Sequence, residues 1–227
     1  MPKEKRMKMN PEEPIQRHFN SAVCRPFDTP STWYEAVYRE AGNESNKVPW
    51  ARQTNQPLLL PWLELRQELA AENRRTLVVG CGLGDDAETL AHRLPHVTAF
   101  DISPRAIAWC RQRFPASRVA YQVADLLDLP EDFRQAFDLV YEALTIQSLP
   151  PNLHAGAIAA IADCVAPGGI LLLMCYGRDP EEPTDGPPWH LARSELDLFL
   201  QHGLQEVCFQ EHMIAGVRRF LVEYRKA

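Results

Sequence analysis

The chain has 227 residues, 45% hydrophobic and 24% charged, with 24 Lys and Arg set against 30 Asp and Glu for a formal net charge of -6. That size fits one α/β domain with a large core, and the composition sets aside disordered and fibrous classes. The acidic balance removes the attraction behind most nucleic-acid binding, so no nucleic-acid partner is expected, and the basic start (Lys3, Lys5, Arg6, Lys8) reads as a solvated tail.

Residues 1–75 read as an N-terminal cap or lid, with Trp33, Tyr34, Trp50 and Trp62 among many prolines and a helix expected from about Leu59 to Asn73. Residues 76–227 read as the α/β unit, the two together forming one structural domain. From Thr76 short β-rich runs alternate with amphipathic stretches, the pattern of a parallel sheet with helices on both faces. Strands are expected at Thr76 to Gly80, Val97 to Asp101, Arg118 to Val123, Phe137 to Glu142 and Ile170 to Tyr176. Helices are expected from Asp85 to Arg93 and from starts near Pro104, Glu131 and Asn152, with a turn forced at Pro167-Gly168-Gly169. After a helix from Ser194 to His202, the runs Gln205 to His212 and Val217 to Tyr224, joined through Gly216, read as a terminal β-hairpin.

Cys24, Cys81, Cys110, Cys164, Cys175 and Cys208 form no Cys-x-x-Cys pair and have no paired histidines nearby, so neither a zinc site nor a redox motif is expected. No apolar stretch follows the basic start, and the longest apolar run, Ile170 to Tyr176, is too short to span a bilayer. No membrane partner and a cytoplasmic location are therefore expected.

Gly80, Cys81, Gly82, Leu83 and Gly84 follow a buried strand and precede a helix, where small residues let a nucleoside cofactor approach the backbone. Dinucleotide sites usually place a third glycine where this chain has Asp85, and an acid there would repel a pyrophosphate. S-adenosylmethionine has an ammonium and a sulfonium group and no phosphate, so acids near the loop suit it. Asp101, with Ile102 beside it, ends the second strand about twenty residues later, where a carboxylate can accept ribose hydroxyls. Asp125 past the third strand can meet an adenine amino group between Ala124 and Leu126, although turn chemistry also explains an Asp there. Glu142 ends the fourth strand facing the ligand crevice of an open α/β sheet.

The loop Val79-Gly80-Cys81-Gly82-Leu83-Gly84, Asp101, Ala124-Asp125 and the Pro167-Gly168-Gly169 turn together resemble the successive motifs of class I methyltransferases, over about Thr76 to Tyr224. The resemblance implies a Rossmann-like three-layer sandwich whose seven-stranded, mostly parallel sheet has an antiparallel last strand, with S-adenosyl-L-methionine as cofactor. Trp33 in Trp-Tyr-Glu, Val48-Pro49-Trp50, Leu149-Pro150-Pro151 and Asp185-Gly186-Pro187-Pro188-Trp189 resemble the thiopurine, thiol and halide methyltransferase group. That likeness implies an N-terminal segment folded over the cofactor with Trp33 and Trp50 lining the covered pocket. Ala143 stands where that group commonly has an aromatic residue, and Thr145-Ile146-Gln147 replaces a more apolar run, so a polar acceptor is a better fit than a halide.

Phe19, Tyr38, Gln147, Tyr176, Arg178, Trp189 and His190 are the substrate-side candidates, each in the cap or beyond a strand's C-terminal end. No catalytic residue and no metal ligand is singled out, and the sequence leaves the oligomeric state open. The functional expectation is methyl transfer to a small-molecule thiol, amine or heterocycle. A dinucleotide-dependent oxidoreductase and a non-catalytic S-adenosylmethionine-binding protein remain open.

Overall fold

The fold is taken from a computed structural model that describes residues 30–42, 44–51, 56–70 and 73–227. Phe19, Cys24 and the basic start lie outside the described residues.

Strands β1 (Arg75–Val79), β2 (His96–Asp101), β3 (Ala120–Val123), β4 (Phe137–Ala143) and β5 (Val165–Arg178) are paired in parallel in the order β3-β2-β1-β4-β5. The two-residue β6 (Leu191–Ala192) pairs with the end of β5 off this path. Beyond β5 come β8 (Val217–Lys226), antiparallel to it, and then β7 (Leu204–Ile214) at the edge. Seven strands in one path with an antiparallel last strand is the topology the resemblance implies. Ala215 and Gly216, at φ 51 and 75, make the two-residue hairpin turn, whose left-handed backbone matches the twist of paired strands.

Alternate residues of each strand reach opposite layers, the period-two consequence of the pleat. Leu77, Val79, Phe100, Val140 and Leu173 pack with Ala157, Ile158 and Ile161 of α5 (Pro151–Cys164). Val78, Ala99, Tyr141 and Leu172 pack on the other face with Ala87 and Leu90 of α3 (Asp85–Ala91) and Ile107 of α4 (Pro104–Arg113). Leu59, Trp62 and Leu63 of α2 (Leu59–Glu64) join this second core, so the chain before Thr76 already belongs to the packing of the sheet.

Four expected elements differ, among them the helix of Ser194 to His202, which is α-helical only over Arg193–Leu196 and continues as a 3-10 helix over Asp197–His202. The helix of Leu59 to Asn73 stops at Glu64 and resumes as a single tight turn over Gln67–Ala70, because Arg66 leaves helical geometry to meet Glu223 at 2.6 Å. The helix near Glu131 is one turn, Glu131–Phe133, since Phe133 must pack on Phe100 and Phe137 before β4 starts. Pro167-Gly168-Gly169 makes a bulge inside β5 rather than a turn before it: Phe137 pairs with Val165 and Leu139 with Ile170, the extra residues passing through Gly168 at φ 73.

Candidate cofactor-binding site

From β1 the chain steps outward to β2 and β3, then returns to the other side of β1 as β4. Ligands of open α/β sheets bind in the crevice at such a reversal, outside the C-terminal strand ends. A cavity of about 270 Å³ lies there.

Gly80, Gly82 and Gly84 all have positive φ, between 54 and 89. Two of them are also needed for packing. A Cβ on Gly84 would lie 2.5 Å from Tyr121 Oη, and one on Gly80 would collide with the Thr145 side chain, whose Oγ1 donates to Val79 O at 3.1 Å. Gly80, Cys81 and Gly82 line the cavity; Gly84 does not, and its role is to let α3 start close against β3 and α4.

Asp101 ends β2 in the cavity wall, 8% exposed. Its Oδ2 accepts the Gly82 N–H and its Oδ1 the Ser103 N–H, both at 2.9 Å. The N-cap of α4 is Ser103, whose Oγ accepts from Ala106 N, so capping does not consume Asp101. Burial pushes the Asp101 carboxyl up to about 6, opposed by these two N–H groups. Each oxygen keeps a lone pair for a ligand hydroxyl. Ile102, Ala124, Asp125 and Leu126 line the same end, and exposed Asp125 also closes its own turn by accepting Leu127 N–H at 2.9 Å.

Asp85 lines the cavity, but Arg113 holds both its oxygens, at 3.1 and 2.7 Å. Its charge is therefore matched, and the repulsion of a pyrophosphate expected from the sequence is largely offset. Glu142 is fully buried and does not line the cavity. Its Oε1 accepts the N–H groups of Thr145 and Ile146 at 2.6 and 3.1 Å, fastening the bend after β4, and burial pushes it up to about 7.

The roof comes from α1 (Pro30–Ala41) and the segment after it. Trp33, Tyr34 and Trp50 meet with ring centroids 4.8 to 5.6 Å apart, and Trp50 Nε1 donates to Tyr38 Oη at 2.8 Å. Glu35 anchors this helix to α4, accepting from Ser103 Oγ at 2.6 Å and pairing with Arg105 at 2.7 Å. Trp33, Trp50 and Tyr38 all line the cavity. Tyr34 also does and was missed, although its place four residues before Tyr38 puts both on one helix face.

At the ends of β4 and β5, Gln147 and Tyr176 line the cavity, whereas Arg178, Trp189 and His190 do not. Those three sit behind the wall. Trp189 N–H donates to Gln147 O at 2.6 Å, His190 packs on Tyr176, and Arg178 donates to His190 O at 2.9 Å and Glu195 at 2.8 Å. Pro187 and Pro188 face the cavity instead.

Residues 76–169 match the family described as a methyltransferase domain. That stretch is similar to methyltransferase domains, and the sheet built around it has the Rossmann-like fold of class I methyltransferases. Its alignment with a trans-aconitate 2-methyltransferase of Variovorax paradoxus is 30% identical over 155 residues, 67% of this chain and 52% of that one. With an Arabidopsis thaliana protein named as a probable thiol methyltransferase it is 26% identical over 162 residues, 69% of this chain and 68% of the other. The chain thus spans about half the length of the first relative. The N-methyltransferase NodS of Bradyrhizobium japonicum, solved with S-adenosyl-L-homocysteine, shares the fold at a TM-score of 0.64 and 24% identity, over 85% of this chain and 97% of that one.

The residues present fit S-adenosylmethionine. Asp101 and the Gly82 backbone suit a ribose, Asp125 suits an amino group, and carboxylates with aromatic faces suit a sulfonium. No metal-binding cluster and no disulfide occur among the described residues, and no described helix is long and apolar enough to cross a membrane.

Proposed function

We propose that this chain transfers a methyl group from S-adenosylmethionine to a small-molecule acceptor, a thiol, an amine or a heterocycle. The observation that carries the reading is Asp101, a buried carboxylate fixed by Gly82 and Ser103 in the wall of a cavity roofed by Trp33, Tyr34 and Trp50.

The cofactor supplies an activated methyl group on a sulfonium, which a nucleophile takes by in-line displacement. This chain's work is to position and to exclude water. Asp101 and the glycine loop fix one end of the ligand. The aromatic roof, pinned to α4 by Glu35, closes the other face. The Tyr34 and Tyr38 phenols are pushed well above their ordinary range by burial, so neither serves as a base near neutrality. No described lining residue is a histidine or lysine, which favours acceptors that arrive already nucleophilic. The absence of any lysine, arginine or histidine from the described lining also weighs against an anionic acceptor of the aconitate kind. We assign residues 30–51 the role of a lid over the cofactor.

Calorimetric titration with S-adenosylhomocysteine, followed by transfer of labelled methyl to a panel of thiols, amines and heterocycles, tests the reading. Binding with product supports it. Binding with no product across a broad panel supports a non-catalytic cofactor-binding protein, and no binding at millimolar ligand removes the proposal.

A further inference from the structure

Gln147 is fully buried in the cavity wall beyond the ends of β4 and β5. Its Oε1 accepts the Tyr176 N–H at 2.6 Å, and its backbone carbonyl accepts the Trp189 N–H at 2.6 Å. The first contact decides the amide's orientation, because the flipped form would set NH2 against N–H. It leaves Nε2 as a buried donor with no partner. Such a donor is costly in an empty site and is resolved when a ligand atom accepts from it.

The surroundings narrow the ligand. Tyr34 and Tyr176 with Pro187 and Pro188 give this end flat, rigid walls. Tyr34 Oη donates to Ser148 O, next along the chain from Gln147, so the roof and the Gln147 turn are held as one unit. Asp86, Asp101 and Asp125 line the cavity, Asp85 has its charge matched by Arg113, and no described lining residue is Lys, Arg or His, which disfavours an anion.

We propose that Gln147 Nε2 reads the methyl acceptor, and that this acceptor is a flat, uncharged ring bearing a hydrogen-bond-accepting atom, a ring nitrogen or a carbonyl oxygen. The assignment rests on the methyl-transfer reading above. A site built around a donor rejects a ring lacking the matching acceptor, because that ring leaves the donor buried and unpaired.

The test uses the full chain saturated with S-adenosylhomocysteine and ring pairs differing in one acceptor atom, quinoline against naphthalene and 1-indanone against indane. The expected result is binding of the acceptor-bearing member about tenfold or more tighter. Its binding also moves the Gln147 side-chain amide signals in a 15N–1H spectrum, identified by their loss in Gln147→Met. In Gln147→Met the preference collapses to about twofold or less, the spread left when no polar partner is lost. Gln147→Glu above pH 9 keeps an acceptor for Tyr176 but has no donor, and loses the same preference. Each variant's fold is checked by its S-adenosylhomocysteine affinity, and if one fails to fold, the other and the wild-type amide signals decide.

Equal binding of the paired rings, no binding of any ring, a preference surviving in a folded variant, or amide signals that move with S-adenosylhomocysteine alone would each overturn the role of Gln147. Failure of the wild type to bind S-adenosylhomocysteine refutes the methyl-transfer reading itself. Cofactor binding without ring preference removes only Gln147.

Discussion

Asp101 Oδ2 accepts the backbone N–H of Gly82 across 2.9 Å, joining the end of β2 to the loop after β1 through a carboxylate that burial pushes up to about 6. The folded value lies above the ordinary 3.8, so between those limits the folded protein holds a proton that the unfolded chain has released. This group's contribution to stability is fully present below 3.8 and is lost as pH rises through about 6. Ribose hydroxyls donate to the ionised form. Cofactor affinity is therefore expected to rise with pH up to about 6 and level off above it. Calorimetry with S-adenosylhomocysteine from pH 5 to about 8 checks this, and a flat profile contradicts it. Asp101→Asn turns an NH2 toward one of the two N–H groups and is expected to weaken binding about tenfold or more at neutral pH.

Arg113→Met leaves Asp85 without its partner beside the cavity. The pair is partly exposed, at 23% and 22% of the side chains, so the loss is screened. A destabilisation of about 1 to 2 kcal/mol in urea unfolding is expected, recovered in part by adding Asp85→Asn. If the double variant is no better than the single one, the pairing is not what holds Arg113 in place.

Glu35→Ala cuts the link from α1 to Ser103 and Arg105 without touching the sheet. Faster amide exchange across residues 30–42 and several-fold weaker cofactor binding are expected, with global stability lowered by only about 1 kcal/mol. Unchanged exchange in α1 would show that aromatic packing alone secures the roof.

Glu223→Leu removes a carboxylate, 5% exposed, that accepts Trp62 Nε1 at 2.9 Å and Arg66 at 2.6 Å. Trp62 and Arg66 lose their shared partner, and a loss of about 2 to 4 kcal/mol is expected, with a shift in Trp62 fluorescence. Stability within about 0.5 kcal/mol of wild type would show that α2 is held by its apolar contacts alone.

The strands after Thr76, the glycine loop, the helix start at Pro104 and the Gly216 hairpin were legible because each depends on residues a few positions apart. Their sterics and periodicity act locally. The helix expected over Leu59 to Asn73 was not, because Arg66 gives up helical geometry for Glu223, 157 positions away. Glu142 sits at the right strand end for a ligand contact, yet it turns inward to Thr145 and Ile146, which periodicity cannot reveal.

Sequence by itself determined the fold class and the place of the glycine loop, since alternating apolar runs and positive-φ glycines carry that information within each segment. Only the tertiary structure decided which charges and donors remain available there. Asp85 has its charge matched by an arginine 28 residues on, Asp101 keeps lone pairs for a ligand, and Gln147 is left with an unpaired donor in the wall. Those outcomes depend on which side chains the packed sheet brings within hydrogen-bond reach, and that distance is set by the whole fold.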